Sequence, residues 1–344
     1  MILNRLWMGL SLARSGIYFL ESLPFALVSR WIGNPDLPPP TNDQVRTLWK
    51  HIVNLHEREA QNLDRGLYPT NALEIENPLR HIRSFIEVLG DGVRVALRMR
   101  RRDTKAFSRE AQDLSQGLPE YYTRNFHFQT DGYLSEASAR RYDHQVEILF
   151  SGTAGAMRRL ILPILKDHSK GEGHWLEIGC GTGSTTRGVC ESFPKAKITA
   201  LDMSAPYLKV AQNHLRRYPH VDFIAGDGTN LDFKNGTFDV VYSVYLLHEL
   251  PKPERAAVMR EAFRVLKPGG ILIFSDSLQL GDEPELNWAL ERFPKAYHEP
   301  FYRSYIENNL AKTLKQATGC EVRTEHAFLT KLAWIQKPLS SALS

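Results

Sequence analysis

The sequence predicts an α/β fold, a doubly wound and mostly parallel sheet preceded by a mostly helical N-terminal extension. Three observations carry this. After Lys170 come five short apolar, β-branched runs, "HWLEI", "KITALD", "VDFIAGD", "FDVVYSVYLL" and "GILIFSDS". Helical patterns separate most of them, which is the mark of βαβ units whose sheet is covered on both faces. The first run ends in clustered glycines, "GCGTG". Before Lys170 the apolar residues recur instead every three or four positions. Two later runs, Glu321–Phe328 and Lys331–Gln336, are candidates to complete the sheet. The chain therefore divides into an amphipathic N-terminal segment (1–32), a helical region (41–170) and an α/β domain (171–344).

The 344 residues are 42% hydrophobic and 24% charged, an ordinary globular balance with enough length for a sizeable core. A net charge of +4 is too small to argue for a nucleic-acid partner by itself. The three cysteines, Cys180, Cys190 and Cys320, form no CxxC pair. That argues against a disulfide framework or a zinc site, so no metal is expected, and it suits a reducing, cytoplasmic compartment.

Met1–Arg30 is rich in Leu, Ile, Phe and Trp, but Arg5, Arg14 and Glu21 interrupt it. No uncharged run reaches the roughly 18 residues of a spanning helix, and Arg14 stands where a signal peptide needs its apolar stretch. Asn4, Ser11, Ser15, Ser22 and Ser29 recur at intervals that place them on one stripe of a helix. Two readings stay open: a helix docked on the protein's own core, or an in-plane anchor that makes residues 1–30 a peripheral membrane contact.

"GNPDLPPP" (Gly33–Pro40) reads as a linker, because prolines at this density cannot continue a helix. Val45, Leu48, Trp49, Ile52 and Leu55 then mark one helix. Asn77-Pro78 opens a second, since Asn caps and Pro fits the first turn; it passes through Ile82, Phe85, Ile86 and Leu89, with Gly90 and Gly92 weakening it. From Arg94 to Arg109 there are seven Lys or Arg and one Asp, which reads as a solvated face or as a contact for anionic lipid or phosphate. Tyr121–Phe150 is dense in Tyr, Phe and His, and Ser135 is placed to cap a helix running to Phe150.

A dinucleotide fingerprint, G-x-G-x-x-G, needs a glycine at position 184, which is Ser184. The pattern here is G-x-G-x-G, formed by Gly179, Gly181 and Gly183, a loop less shaped to a pyrophosphate. The second run ends in Asp202, fit to take both ribose hydroxyls, and the third ends "AGDG" with Asp227. A second acid calls for a donor such as an exocyclic amino group. Three successive strand tips thus carry glycine, Asp and Asp at the edge where open α/β sheets bind ligands.

In that order, "LEIGCGTG", "LDMS", "GDGTNLDF" and "LKPGG" resemble the successive motifs of the class I S-adenosylmethionine-dependent methyltransferases. The resemblance runs from about Gly173 to Pro338 and is strongest to the small-molecule branch that includes the ubiquinone and menaquinone biosynthesis C-methyltransferases. It implies a Rossmann-like, seven-stranded sheet with the last strand antiparallel, and S-adenosyl-L-methionine as cofactor. It implies that Gly179, Gly181 and Gly183 border the methionyl part, with Glu177 near its amino group. Asp202 would hold the ribose, Met203 would lie against the adenine, and Asp227, with Gly228 beside it, would take the adenine amino group. The segment "FHFQTDGYLSEASARRYDHQVE" resembles the helical lid that precedes the first motif, with Tyr133 and Tyr142 as its candidates over the cofactor.

Methyl transfer from a sulfonium is an in-line displacement, so positioning and removal of one proton are what the chain must supply. His248 and Glu249 follow the fourth strand tip, and a neutral His248 imidazole is the candidate base near pH 7. His298 is the alternative. The N/D-P-P-Y/F sequence of methyltransferases acting on nucleobase or glutamine amino groups is absent, replaced by "SVYLLHEL". The long insertion Ser275–Ile306 offers Tyr297, His298, Phe301, Tyr302 and Tyr305 to line an aromatic acceptor pocket. Three functions fit: a methyltransferase for a small apolar or aromatic acceptor (a quinol, phenol or lipid), an RNA methyltransferase using the basic stretch 94–109, and a non-catalytic, membrane-associated assembly factor. No RNA-binding motif supports the second, and the intact cofactor motifs count against the third.

Overall fold

The computed structural model describes residues 2–33, 37–73 and 77–339, with side chains from Leu6 onward. The side chains of Asn4 and Arg5, and residues 34–36 of the proline-rich linker, lie outside the described part. The helical region consists of α1 (Ile2–Val28), continued by a π-helical turn (Ser29–Gly33), α2 (Asn42–Asp64), α3 (Pro78–Arg101), α4 (Arg109–Leu114), α5 (Glu136–Leu149), α6 (Ala154–Arg158) and α7 (Ile161–His168). The sheet half opens with β1 (Glu172–Ile178), α8 (Ser184–Ser192), β2 (Lys195–Asp202), α9 (Ala205–His214) and β3 (Val221–Ala225). It continues with β4 (Phe238–Val244), α10 (Lys252–Val265), β5 (Leu266–Ser277), α11 (Asn287–Ala296), α12 (Tyr302–Ile306), α13 (Leu310–Thr318), β6 (Arg323–Ala327) and β7 (Thr330–Gln336).

The strands form one seven-stranded sheet in the order β3-β2-β1-β4-β5-β7-β6. The first five are parallel, and β7 alone runs against its neighbours. Order reverses between β1 and β4, so a crevice opens beyond the carboxyl ends of these strands. Successive strand residues feed opposite cores. Trp175, Ile198 and Val240 pack with Ile161, Leu165 and Val189 on one face. Leu176, Val241 and Leu272 pack with Val258, Met259 and Leu314 on the other. Ile52 and Leu55 of α2 belong to the first of these cores, which joins the helical region to the sheet.

The helix starts follow the sequence. Thr41 and Gln44 close a capping box on α2, Asn77 caps α3 ahead of Pro78, and Ser135 caps α5. One expectation changes: Gly90 and Gly92 do not weaken α3, which runs unbroken to Arg101. A side chain at Gly92 would meet the Phe25 ring of α1 at 2.8 Å, so that glycine is where the two helices approach. The polar stripe of α1 turns inward. Ser11 and Ser15 are buried, Ser15 Oγ meets His56 Nε2 at 2.9 Å, Arg14 pairs with Glu147, and Glu21 pairs with His81 and His144.

Candidate functional site

A deep cavity lies at the carboxyl ends of β1, β2 and β4, roofed by the segment between α4 and α6. Gly179 and Gly181 of the glycine turn line it, and Gly183 does not. Gly179, Gly181 and Gly183 all adopt left-handed φ (76°, 55° and 80°), which side-chain-bearing residues resist. Their surroundings differ. A Cβ at Gly183 would strike Leu215 at 2.7 Å, so this glycine serves the packing of α8 on α9, whereas a Cβ at Gly181 would meet no atom within 4 Å and points into open space. Gly228 also lines the cavity, and there a Cβ would strike Ile178 at 2.7 Å.

Asp202, at the tip of β2, accepts Gly181 N–H on Oδ2 and Ser204 N–H on Oδ1, both at 2.8 Å. The two backbone bonds fix the carboxylate and leave lone pairs over for further donors. Burial is the larger influence and pushes its pKa up to about 6. Asp227, at the next tip, accepts Thr229 N–H at 2.8 Å and faces the cavity with Met203. Ile178, Leu201, Met203, Leu250 and Val258 give the walls between these acids an apolar character.

The N-terminus of α8 is already occupied. Asp143, from α5, accepts the hydroxyls of Thr182 (2.7 Å) and Ser184 (2.8 Å), and Arg158 stands 3.5 Å away. A pyrophosphate would meet a carboxylate at the helix end that it needs, which excludes the dinucleotide reading of the glycines. A nucleoside without phosphates fits this donor set: two acids for hydroxyls and an amino group, apolar walls for a base, and an open glycine. Arg158 lines the cavity and is the cation available to a carboxylate there.

After β4 the cavity wall collects titratable groups. His248, on a 3₁₀ turn (Leu247–Glu249) after β4, donates Nδ1–H to Asp276 Oδ1 at 2.6 Å, which leaves Nε2 as its second nitrogen. Asp276 sits near the end of β5 and also accepts the Leu247 backbone N–H at 2.7 Å. Glu249 Oε1 lies 3.9 Å from His248 Nε2 and 3.9 Å from His127 Nε2, and accepts the Tyr133 hydroxyl. His127 Nδ1 lies 3.1 Å from buried Glu299. Burial lowers the His248 pKa, but Asp276, Glu249 and Glu299 outweigh it and push it up to about 9. Burial, with Glu249, pushes Glu299 up to about 7 against the pull of His127.

Gly179, Gly181, Asp202, Met203, Asp227, Gly228, Tyr133, Tyr142, His248 and Glu249 all line the cavity. Glu177 does not: it is buried beneath the turn, accepts the hydroxyls of Thr186 (2.6 Å) and Tyr242 (3.0 Å), and burial pushes it up to about 7. His298 does not either. It packs on Phe128, its backbone carbonyl accepts His127 N–H, and burial with Arg124 and His127 nearby lowers it to about 4. His298 is therefore no candidate base. The neutral imidazole expected of His248 is disfavoured, because Asp276 and Glu249 beside it favour the protonated ring. Of the insertion, Tyr302 lines the cavity, joined by Phe293 and Leu290, while Tyr297, Phe301 and Tyr305 stand outside it. Sequence reasoning missed His127, Glu299, Asp276, Asp143 and Arg158. Asp276 alone left a signal, as a carboxylate near a strand end like Asp202.

The fold and this donor set form a site at the carboxyl edge of an open α/β sheet that fits a nucleoside. Residues 176–270 match the family described as "Methyltransferase domain". Over 51% of its length the chain is 29% identical to a demethylmenaquinone methyltransferase of Lactiplantibacillus plantarum, of which it covers 75%. Over 41% it is 30% identical to a ubiquinone/menaquinone biosynthesis C-methyltransferase of Desulfotalea psychrophila, of which it covers 56%. Over 29% it is 36% identical to phthiotriol/phenolphthiotriol dimycocerosates methyltransferase 1 of Mycobacterium ulcerans, of which it covers 36%. The matched parts thus span from about a third to three quarters of these relatives. A solved S-adenosylmethionine-dependent methyltransferase of Methanosarcina mazei is 21% identical, over 52% of this chain and 98% of that one, with a TM-score of 0.41. Residues 176–270 thus carry a methyltransferase domain, and the α/β half of the chain is similar to class I S-adenosylmethionine-dependent methyltransferases, the quinone C-methyltransferases among them.

Proposed function

We propose that the protein transfers a methyl group from S-adenosylmethionine to a small apolar or aromatic acceptor, a quinol, phenol or lipid-like molecule. One observation carries this: a single cavity holds both the nucleoside-binding acids and His248 and Glu249, among Tyr, Phe and Leu side chains. The names of the relatives, which concern menaquinone, ubiquinone and phthiotriol lipids, agree with it.

When bound, the cofactor supplies an activated methyl on a sulfonium, whose leaving group is a neutral thioether. Asp202 would hold the ribose hydroxyls, Asp227 the adenine amino group and Arg158 the carboxylate. Tyr133 and Tyr142 cover the site and exclude water, and Tyr133 is locked by its bond to Glu249. The acceptor's proton passes to His248 Nε2 once that nitrogen is free, with Asp276 fixing the ring and balancing the imidazolium. The cluster of Glu249, Glu299 and Asp276 also favours a cation in the cavity. A bound sulfonium would push the His248 pKa down from about 9, toward the range where it works as a base.

Metabolite profiling tests this reading. In cells lacking the protein an apolar species should accumulate, and a species heavier by one methylene should vanish. Unchanged apolar extracts beside an altered pattern of RNA methylation would move the function to RNA. Within the basic stretch Arg98 is turned inward onto Phe128 O (2.8 Å) and Thr130 Oγ1 (2.7 Å), while Arg94, Arg100, Arg101, Arg102, Lys105 and Arg109 are exposed, so this experiment decides between the two readings.

A further inference from the structure

Helix α1 carries two apolar faces. One packs inward through Tyr18 and Phe25 beside the serines, Arg14 and Glu21, and the other faces away from the protein. Leu6, Leu10, Ile17, Leu20, Leu27 and Trp31 are all exposed, Leu20 by 63% and Trp31 by 78%. Helix α3 repeats the arrangement. Leu79, Ile82, Ile86, Leu89, Val93 and Leu97 follow one another at three- and four-residue steps, and each is exposed, Ile86 by 62%. The helices are neighbours, with Phe25 against Phe85 and α1 seated at Gly92. On α3 the apolar stripe lies beside this seam. Arg83, Arg94 and Arg101 follow on its outer side, exposed, with Arg100 and Arg30 also exposed nearby. Glu87, paired with Arg83, is the acid on that rim.

Two adjoining apolar helix faces far exceed the scattered leucines of an ordinary surface. No single helix among the described residues is long and apolar enough to cross a membrane. A surface rich in Leu, Ile and Trp, edged by arginine and lying along helices, matches what an anionic lipid interface takes up in-plane. We propose that α1 and α3 together form a platform by which the protein lies on an anionic bilayer. The occupant is a lipid surface rather than a second copy, because the cationic edge has complementary charge in lipid phosphate and would face its own like in a symmetric dimer. The platform rests on α5, whose Tyr142 and Val146 line the cavity, so docking would set the cavity's roof beside the membrane. It extends to α3, beyond residues 1–30, and does not depend on the identity of the methyl acceptor.

The test is co-sedimentation of the full chain with phosphatidylcholine vesicles and with equimolar phosphatidylcholine–phosphatidylglycerol vesicles. Tight binding only to the second is expected. The α3 pair Ile82→Gln/Ile86→Gln and the α1 pair Leu10→Gln/Leu20→Gln should each weaken it by about tenfold per side chain. Arg94→Gln/Arg101→Gln should lose about fivefold per arginine on anionic vesicles and little on neutral ones. Thermal melting and S-adenosylmethionine titration of each variant show that the fold is kept. No vesicle binding by the wild type, or binding that the α3 pair leaves unchanged, would overturn the platform. So would a dimer in sedimentation velocity that the α3 pair dissolves.

Discussion

Each strand-tip residue has a separable task, and substitutions should separate them. Asp202→Ala removes a carboxylate fixed by two backbone donors and free to accept two more. Calorimetry should show S-adenosylmethionine binding weakened by about 1.5–3 kcal/mol, with NADH not competing in the wild type. Wild-type affinity in that variant would place the ribose elsewhere. Gly181→Ala and Gly183→Ala form a pair of opposites. Both force a left-handed φ on alanine at a cost of about 1–2 kcal/mol, but the added methyl enters the open cavity at 181 and strikes Leu215 at 183. Cofactor affinity should fall further at 181, and the melting temperature further at 183; the reverse order would mean that the open space at Gly181 is not the cofactor's. The acids were legible in the sequence because a strand tip is a fixed place in this fold. His127 and Glu299 were not, since His127 stands in a kinked 3₁₀ segment and Glu299 in a loop, and each acquires its meaning only from the other, 3.1 Å away.

At the scale of an element, the 3₁₀ turn after β4 depends on one carboxylate. Asp276 holds both its backbone and the His248 ring. Because folding and its carboxylate neighbours raise His248 to about 9, the base form is scarce at pH 7 in the free enzyme. The value of kcat/KM for S-adenosylmethionine should therefore climb with pH toward about 9, while kcat, read with the sulfonium in place, should level off at lower pH. Glu249→Gln should move both limbs downward. Coincident limbs, or limbs that Glu249→Gln leaves in place, would remove the carboxylate cluster from the account. Glu177 of β1 makes a second pH case. Its pKa is raised from 4.5 to about 7 by folding, so it contributes stability below the unfolded value that is lost as pH rises through about 7. Glu177→Gln should keep the fold and spare the protein roughly 2–3 kcal/mol of that alkaline loss, seen in melting curves between pH 5 and 9.

Across the whole molecule, the sheet half was readable strand by strand. Buried parallel strands must be apolar on both faces, so their runs stand out, and the turns between them carry the chemistry. The helical half was readable only as helices. Its contributions to the site, Asp143 at the foot of α8 and Arg158 beside it, depend on how α5 and α6 fold across the sheet, which no periodicity encodes. The same half holds a polar stripe on α1 that the sequence displayed without saying which way it faced. The central claim is methyl transfer to an apolar acceptor, and one measurement tests it most directly. The purified full chain, methyl-labelled S-adenosylmethionine and an apolar cell extract in reduced form are incubated with RNA from the same cells, and label is followed into the organic and nucleic-acid fractions. The account expects label in an organic-soluble product, strongly reduced by Asp202→Ala and lowered about 10²–10⁴-fold by His248→Ala with cofactor affinity nearly unchanged. Label confined to RNA, or none in either fraction from a protein that binds the cofactor, would contradict it.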